Sequence, residues 1–136
     1  MTNSEKKAFL CQYGVNEREI ARLEEEIVLW KSRAERVTAS YSLAPSHGSD
    51  SDKMQTAVIK ILELESELYT RLVDATELRR NIQVAIDMVE DARLRNLLEY
   101  RYIDELGWEK IAEKLSVEWR HVLRLHDTAL KCINIL

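Results

Sequence analysis

Residues 20–41, IARLEEEIVLWKSRAERVTASY, decide the fold. Their apolar positions are Ile20, Leu23, Ile27, Trp30, Ala34, Val37 and Tyr41, spaced alternately by three and four. Such spacing keeps one stripe of a helix facing a partner helix. Glu24, Glu25, Arg33 and Arg36 fall on the opposite side, as a solvated face requires. The pattern predicts a first helix from about Asn16 to Ser40, roughly 37 Å long at about 1.5 Å per residue.

Working outward, residues 1–15 read as an N-terminal extension. Residues 42–51, SLAPSHGSDS, hold the chain's only proline among small polar residues and read as a loop. Asp52 with Gln55 resembles a capping box, so a second helix is expected to begin there. Its expected core is Val58, Ile61, Leu68, Leu72, Ala75, Ile82, Ile86 and Val89, with Leu64, Leu78 and Ala85 alongside. Glu65 and Arg79 stand at the edge of that stripe or pair across a dimer. A short loop between two long helices favours an antiparallel coiled-coil hairpin over residues 16–90, and an exposed hairpin buries little, so it is expected to self-associate into at least a homodimer.

Asp91 is the expected N-cap of a third segment running through Leu94, Leu97, Leu98, Tyr100, Tyr102 and Ile103 and broken at Gly107. Beyond it, 108–115 reads as a short helix, Ser116-Val117-Glu118 as a turn, and 118–133 as a second helix. At 100° per residue, Val122, Leu125, Ala129 and Ile133 point one way, and Arg120, Arg124, Asp127 and Lys131 the other. That is the layout of a helix-turn-helix, whose second helix offers its first side chains to base edges in the major groove. Two arginines one turn apart suit guanine or phosphate. A solvated face on an ordinary bundle helix gives the same periodicity.

Composition sets the limits. With 136 residues, 46% hydrophobic content, three Gly and one Pro, the chain reads as all-α with a core of its own. No apolar run is long enough for a membrane helix, so no membrane partner is expected and the cytoplasm is the expected compartment. Cys11 and Cys132 stand alone and read as free thiols. The net charge of -4 arises in the middle: residues 42–90 carry 5 Lys and Arg against 9 Asp and Glu, whereas residues 91–136 carry 8 and 8. Acidity therefore does not exclude nucleic acid at the C-terminal end. With no glycine-rich phosphate loop, Ser/His/Asp set or metal cluster in the sequence, no cofactor is implied and an enzyme is not expected. His121 and His126, about 140° apart on one helix, do not make a pair. His121 flanks the free face, and His126 reads as a structural group beside the core stripe.

The run LRNLLEYRYIDELGWEKIAEKLSVEWRHVLRLHDTALKCI, residues 94–133, resembles the helix-turn-helix of sigma-factor region 4, and more closely the small phage and prophage regulators of the RinA/ArpU-like group. The matching positions are Leu97, Leu98, Arg101, Tyr102, Trp108, Glu109, Ile111, Ala112, Arg120, His121, Val122, Arg124, Leu125, His126, Ala129 and Leu130. Upstream, Glu35–Ser42 and Ser51–Met54 are similar to that group's coiled-coil hairpin, so the resemblance covers about residues 16–133. It implies a regulator of phage or prophage late genes acting in a bacterial cell or infected host, with promoter DNA and RNA polymerase as partners. The DNA-reading surface it implies comprises Trp119, Arg120, His121, Leu123, Arg124, Thr128 and Lys131.

The chain also departs from that pattern. Ser116 stands where Gly is frequent, at a cost of roughly 1 kcal/mol if the turn is left-handed. Glu118 replaces a Ser or Thr cap, Trp119 and Leu123 replace basic or polar residues, and Asp127 and Thr128 replace a small and a basic one. Each change removes polar or positive character, which implies binding that is weak, narrow in sequence, or dependent on dimerisation and polymerase. Two other readings follow: a protein-binding adaptor that has lost DNA contact, and a small terminase subunit, in which the DNA unit usually precedes the coil.

Overall fold

The computed structural model describes the backbone of residues 1–43 and 48–135, with side chains for residues 1–39 and 51–135. Every regular element described is helical: α1 (Asn3–Leu43), α2 (Gly48–Asp87), α3 (Ala92–Leu98), a π-helical turn (Glu99–Ile103), α4 (Trp108–Leu115) and α5 (Trp119–Cys132). The all-α class expected from composition is the class observed. No helix among the described residues is long and apolar enough to cross a membrane.

Packing divides the chain into two units, Met1–Glu17 with Asp74–Leu136, and Arg18–Val73. In the second, Leu23 and Ile27 of α1 pack with Leu64 of α2, and Trp30 and Leu68 close over them. The seam read from Ile20 to Val37 is the least exposed side of this part of α1, while Tyr41 lies outside the described side chains. Lys31 Nζ lies 3.3 Å from Glu65 Oε1, so Glu65 sits at the edge of the seam, bound within the chain. Later residues of α1 meet earlier residues of α2, an antiparallel order, and a cavity lined by Trp30, Val37, Thr56 and Ala57 continues it.

The larger unit encloses its core. Leu10, Ile82, Ile86, Leu97, Leu98, Ile111, Val122 and Ile133 are fully buried. Leu10 arrives from the first turns of α1, Ile82 and Ile86 from the end of α2, and the rest from the C-terminal helices.

Several expectations need correction. The first helix starts at Asn3, not near Asn16, so the expected extension is helix. Thr2 Oγ1 accepts from the Glu5 amide at 3.1 Å and the Glu5 carboxylate accepts from the Thr2 amide at 3.1 Å. This reciprocal cap satisfies two otherwise orphaned donors. The second helix begins at Gly48, which leaves Asp52 inside it; of the expected loop 42–51, residues 42, 43 and 48–51 are helical and residues 44–47 lie outside the described residues. Val58 and Leu72, expected in the core, are 45% and 44% exposed. Ile61, Leu64 and Leu68, also expected there, do line the inner seam, and Ala57 takes the place of its neighbour Val58 in it. The third segment does not continue as one α-helix: after Leu98 it widens into the π turn, whose closing bonds run from Asp104 N to Glu99 O at 2.9 Å and from Leu106 N to Tyr100 O at 2.8 Å.

Candidate nucleic-acid interface

Asp91 caps α3 as expected, its carboxylate accepting from the amides of Arg93 at 2.8 Å and Leu94 at 3.3 Å. Gly107 is the extended residue before α4, with φ -72°, and a Cβ there would meet nothing within 4 Å. Helix α4 ends at Ser116 in the left-handed region, φ 56° and ψ 44°. The Ser116 amide donates to Glu113 O at 3.2 Å and the Val117 amide to Ala112 O at 3.1 Å. These two bonds close the turn by satisfying the last carbonyls of α4. Glu118 then stands at the N-cap of α5 with no side-chain cap bond, leaving the first amides of α5 without that neutralisation.

Helix α5 is anchored from behind. Val122, His126, Ala129 and Leu130 are buried, and Leu125 packs against the same core. The Tyr102 hydroxyl and His126 Nε2 share a buried hydrogen bond of 2.6 Å, and the Trp108 ring meets the His126 ring edge-on at 4.7 Å between centroids. Burial drives the His126 pKa down to about 4 and pushes the Tyr102 hydroxyl up. The imidazole is therefore neutral at physiological pH. Arg101 stacks 4.1 Å from the Trp108 ring and donates to Leu106 O at 3.1 Å, which ties the π turn to α4. At the far end of α5, Lys6 Nζ donates to Leu130 O at 2.9 Å, a cation on carbonyls that the helix leaves unpaired.

Outward, the sequence candidates divide. Arg120, Arg124, Thr128 and Lys131 are exposed, and Trp119 is 51% exposed. Thr128 Oγ1 donates to Arg124 O at 3.1 Å, which turns its hydroxyl toward its own helix. Leu123 and His121 are half-buried. Among the described residues, no hydrogen bond or ion pair holds the guanidinium of Arg120 or Arg124. Two cations thus stand about 40° apart at the amide end of a helix, where the helix dipole already favours an anion. Glu118 and Asp127 flank them as the opposing charges.

One member of this surface escaped sequence reasoning. Arg93, two residues after the α3 cap, brings Nη2 to 3.2 Å from His121 Nε2. Because a guanidinium only donates, the His121 nitrogen accepts, and the pair holds a third arginine beside the start of α5. The two residues lie 28 apart in sequence, and no local pattern joins them. Lys6 was missed for another reason: the capping box from Thr2 to Glu5 is a legible start signal, but it precedes a stretch interrupted by Gly14. Comparisons of the chain with protein-family models, with curated proteins and with solved structures found no match.

Proposed function

We propose that this chain is a sequence-specific DNA-binding transcriptional regulator that places α5 in the major groove of promoter DNA. The observation that carries the reading is the pair Arg120 and Arg124, exposed and without partners among the described residues, on a helix whose opposite face is buried. A left-handed turn at Ser116 and a short preceding helix support reading this segment as a helix-turn-helix. The resemblance to the RinA/ArpU-like group supplies the class of target, late promoters of a phage or prophage, and RNA polymerase as a partner there. With 8 positive and 8 negative side chains in residues 91–136, nonspecific affinity is low and two copies act together for useful occupancy.

A second reading, docking on a protein such as polymerase, is favoured by the exposed Trp119 indole next to the half-buried Leu123. Salt-titrated binding to promoter DNA separates the two. On the DNA reading, Arg120→Ala costs about 1 to 3 kcal/mol on the specific site and relaxes preference at one base pair. Arg124→Ala weakens all sequences similarly and flattens the salt slope by about one unit. If the wild-type chain shows no salt-dependent binding at low ionic strength, or both variants bind as it does, the docking reading replaces this one.

A further inference from the structure

The inner seam of residues 18–73 leaves a second apolar stripe on α2 uncovered. Val58, Ile59, Leu62, Tyr69, Leu72 and Val73 are 45, 50, 61, 70, 44 and 49% exposed. At 100° per residue all six fall within an arc of about 140° on one side of the helix. Only two other residues between 58 and 73 share that arc, Glu65 and Ser66. Both lie midway along the stripe, toward its two margins.

The order of the stripe is its own mirror. Val58 lies as far before the Glu65–Ser66 peptide as Val73 lies after it, and the same holds for Ile59 with Leu72 and Leu62 with Tyr69. A two-fold axis passing between two antiparallel copies of α2, at the height of the Glu65–Ser66 peptide, therefore brings each apolar residue of one copy to the height of an apolar residue of the other, with Leu62 and Tyr69 facing each other most directly. A stripe so arranged is complementary to itself, which is what an isologous two-fold interface demands. Glu65, beside the axis, is already paired with Lys31 at 3.3 Å, so the two Glu65 carboxylates meet with their charge balanced inside each copy.

The area is of the right order. Six side chains this exposed present on the order of 500 Å² per copy, and two copies face to face bury roughly 1,000 Å², the threshold of a specific interface.

We infer that this stripe binds a second copy of the chain, α2 against α2 in antiparallel register about the Glu65–Ser66 peptide. The inference deepens the dimer element of the proposed function by naming its surface and register. It is tested without DNA, so either can fail while the other stands.

Sedimentation of the full chain across a concentration series is expected to show twice the chain mass. Leu62→Glu combined with Tyr69→Glu, both at exposed positions, is expected to raise the dimer dissociation constant about 100-fold or more without loss of helicity. Lys60→Ala, on the charged side, leaves it unchanged. Register is read by disulfide trapping in a chain with Cys11 and Cys132 replaced by Ala. Ser66→Cys crosslinks with itself, Leu62→Cys crosslinks with Tyr69→Cys, and Ile59→Cys, whose copies stand about 20 Å apart along the axis, does not crosslink with itself. A monomer at every concentration, a double variant that associates like wild type, self-crosslinking at Ile59 equal to that at Ser66, or association seen only when DNA or another protein is added would each overturn the inference.

Discussion

The two packing units are made from the same two long helices, yet they bury their apolar residues differently. In Arg18–Val73 each helix has one partner. The side chains at its centre, Leu23 and Ile27, keep 7% exposure, and a second apolar stripe stays in solvent. In the other unit, Leu10, Ile82 and Ile86 of those helices meet three more elements and are sealed completely. A helix stripe wider than one seam is satisfied only by more than one neighbour. In the larger unit the chain supplies those neighbours itself.

That difference is open to a direct test, and the largest effect is expected from truncation. Leu97→Ala, at a site with no residual exposure, costs about 3 to 5 kcal/mol, while Ile27→Ala in the thinner seam costs about 2, because surface water and neighbouring side chains relax into the gap. Urea melts of the two variants check this. Equal costs would show that the seam is as tightly packed as the enclosed core.

How far each unit was legible follows from the same contrast. The seam from Ile20 to Val37 could be read without a partner because, apart from Ala21, Val28 and Leu29, the positions that flank it are polar. In α2, two registers one residue apart, through Ala57, Ile61 and Leu64 and through Val58, Leu62 and Leu72, are both apolar at heptad spacing. Periodicity alone cannot say which one meets α1. The C-terminal candidates fared differently: the faces of α5 were assigned from rotation alone, and Arg120, Arg124 and Lys131 are exposed as expected. What rotation could not supply was the environment of each face. The Arg93–His121 contact and the Lys6 cap depend on tertiary packing between distant segments.

A middle-sized effect should come from pH, and it singles out the enclosed core. His126 has its pKa lowered from an ordinary 6.5 to about 4, chiefly by burial and then by the charge of Lys7. A depressed histidine means that the unfolded chain takes up the proton first. Stability is then intact above about pH 6.5, falls as pH drops toward 4, and levels off below, a loss on the order of 3 kcal/mol. The measurement is the difference between wild type and His126→Gln, which removes the titrating ring but keeps a polar partner for the Tyr102 hydroxyl. Chemical melts at several pH values should show the two chains converging between pH 6.5 and 4. Parallel curves would mean that the imidazole is not withheld from protons by the core.

The smallest effect concerns the turn that aims α5, and its sign depends on two opposing terms. Ser116 holds φ 56°, a region in which a side chain costs roughly 1 kcal/mol. Ser116→Gly removes that cost but gives the unfolded chain more freedom, worth about 0.5 to 1 kcal/mol the other way. The net gain is therefore expected to be small, about 0.5 kcal/mol or less. Ser116→Val makes the sign plain, because a β-branched side chain tolerates the left-handed region worst of all. It should destabilise by about 1 to 2 kcal/mol, through the same two closing bonds to Ala112 O and Glu113 O. Thermal melts of the pair give the ordering Gly, Ser, Val from most to least stable. If Val is tolerated as well as Ser, the chain is not held left-handed at this turn. The direction in which α5 presents Arg120 and Arg124 would then be set by the buried contacts of Val122 and His126 alone.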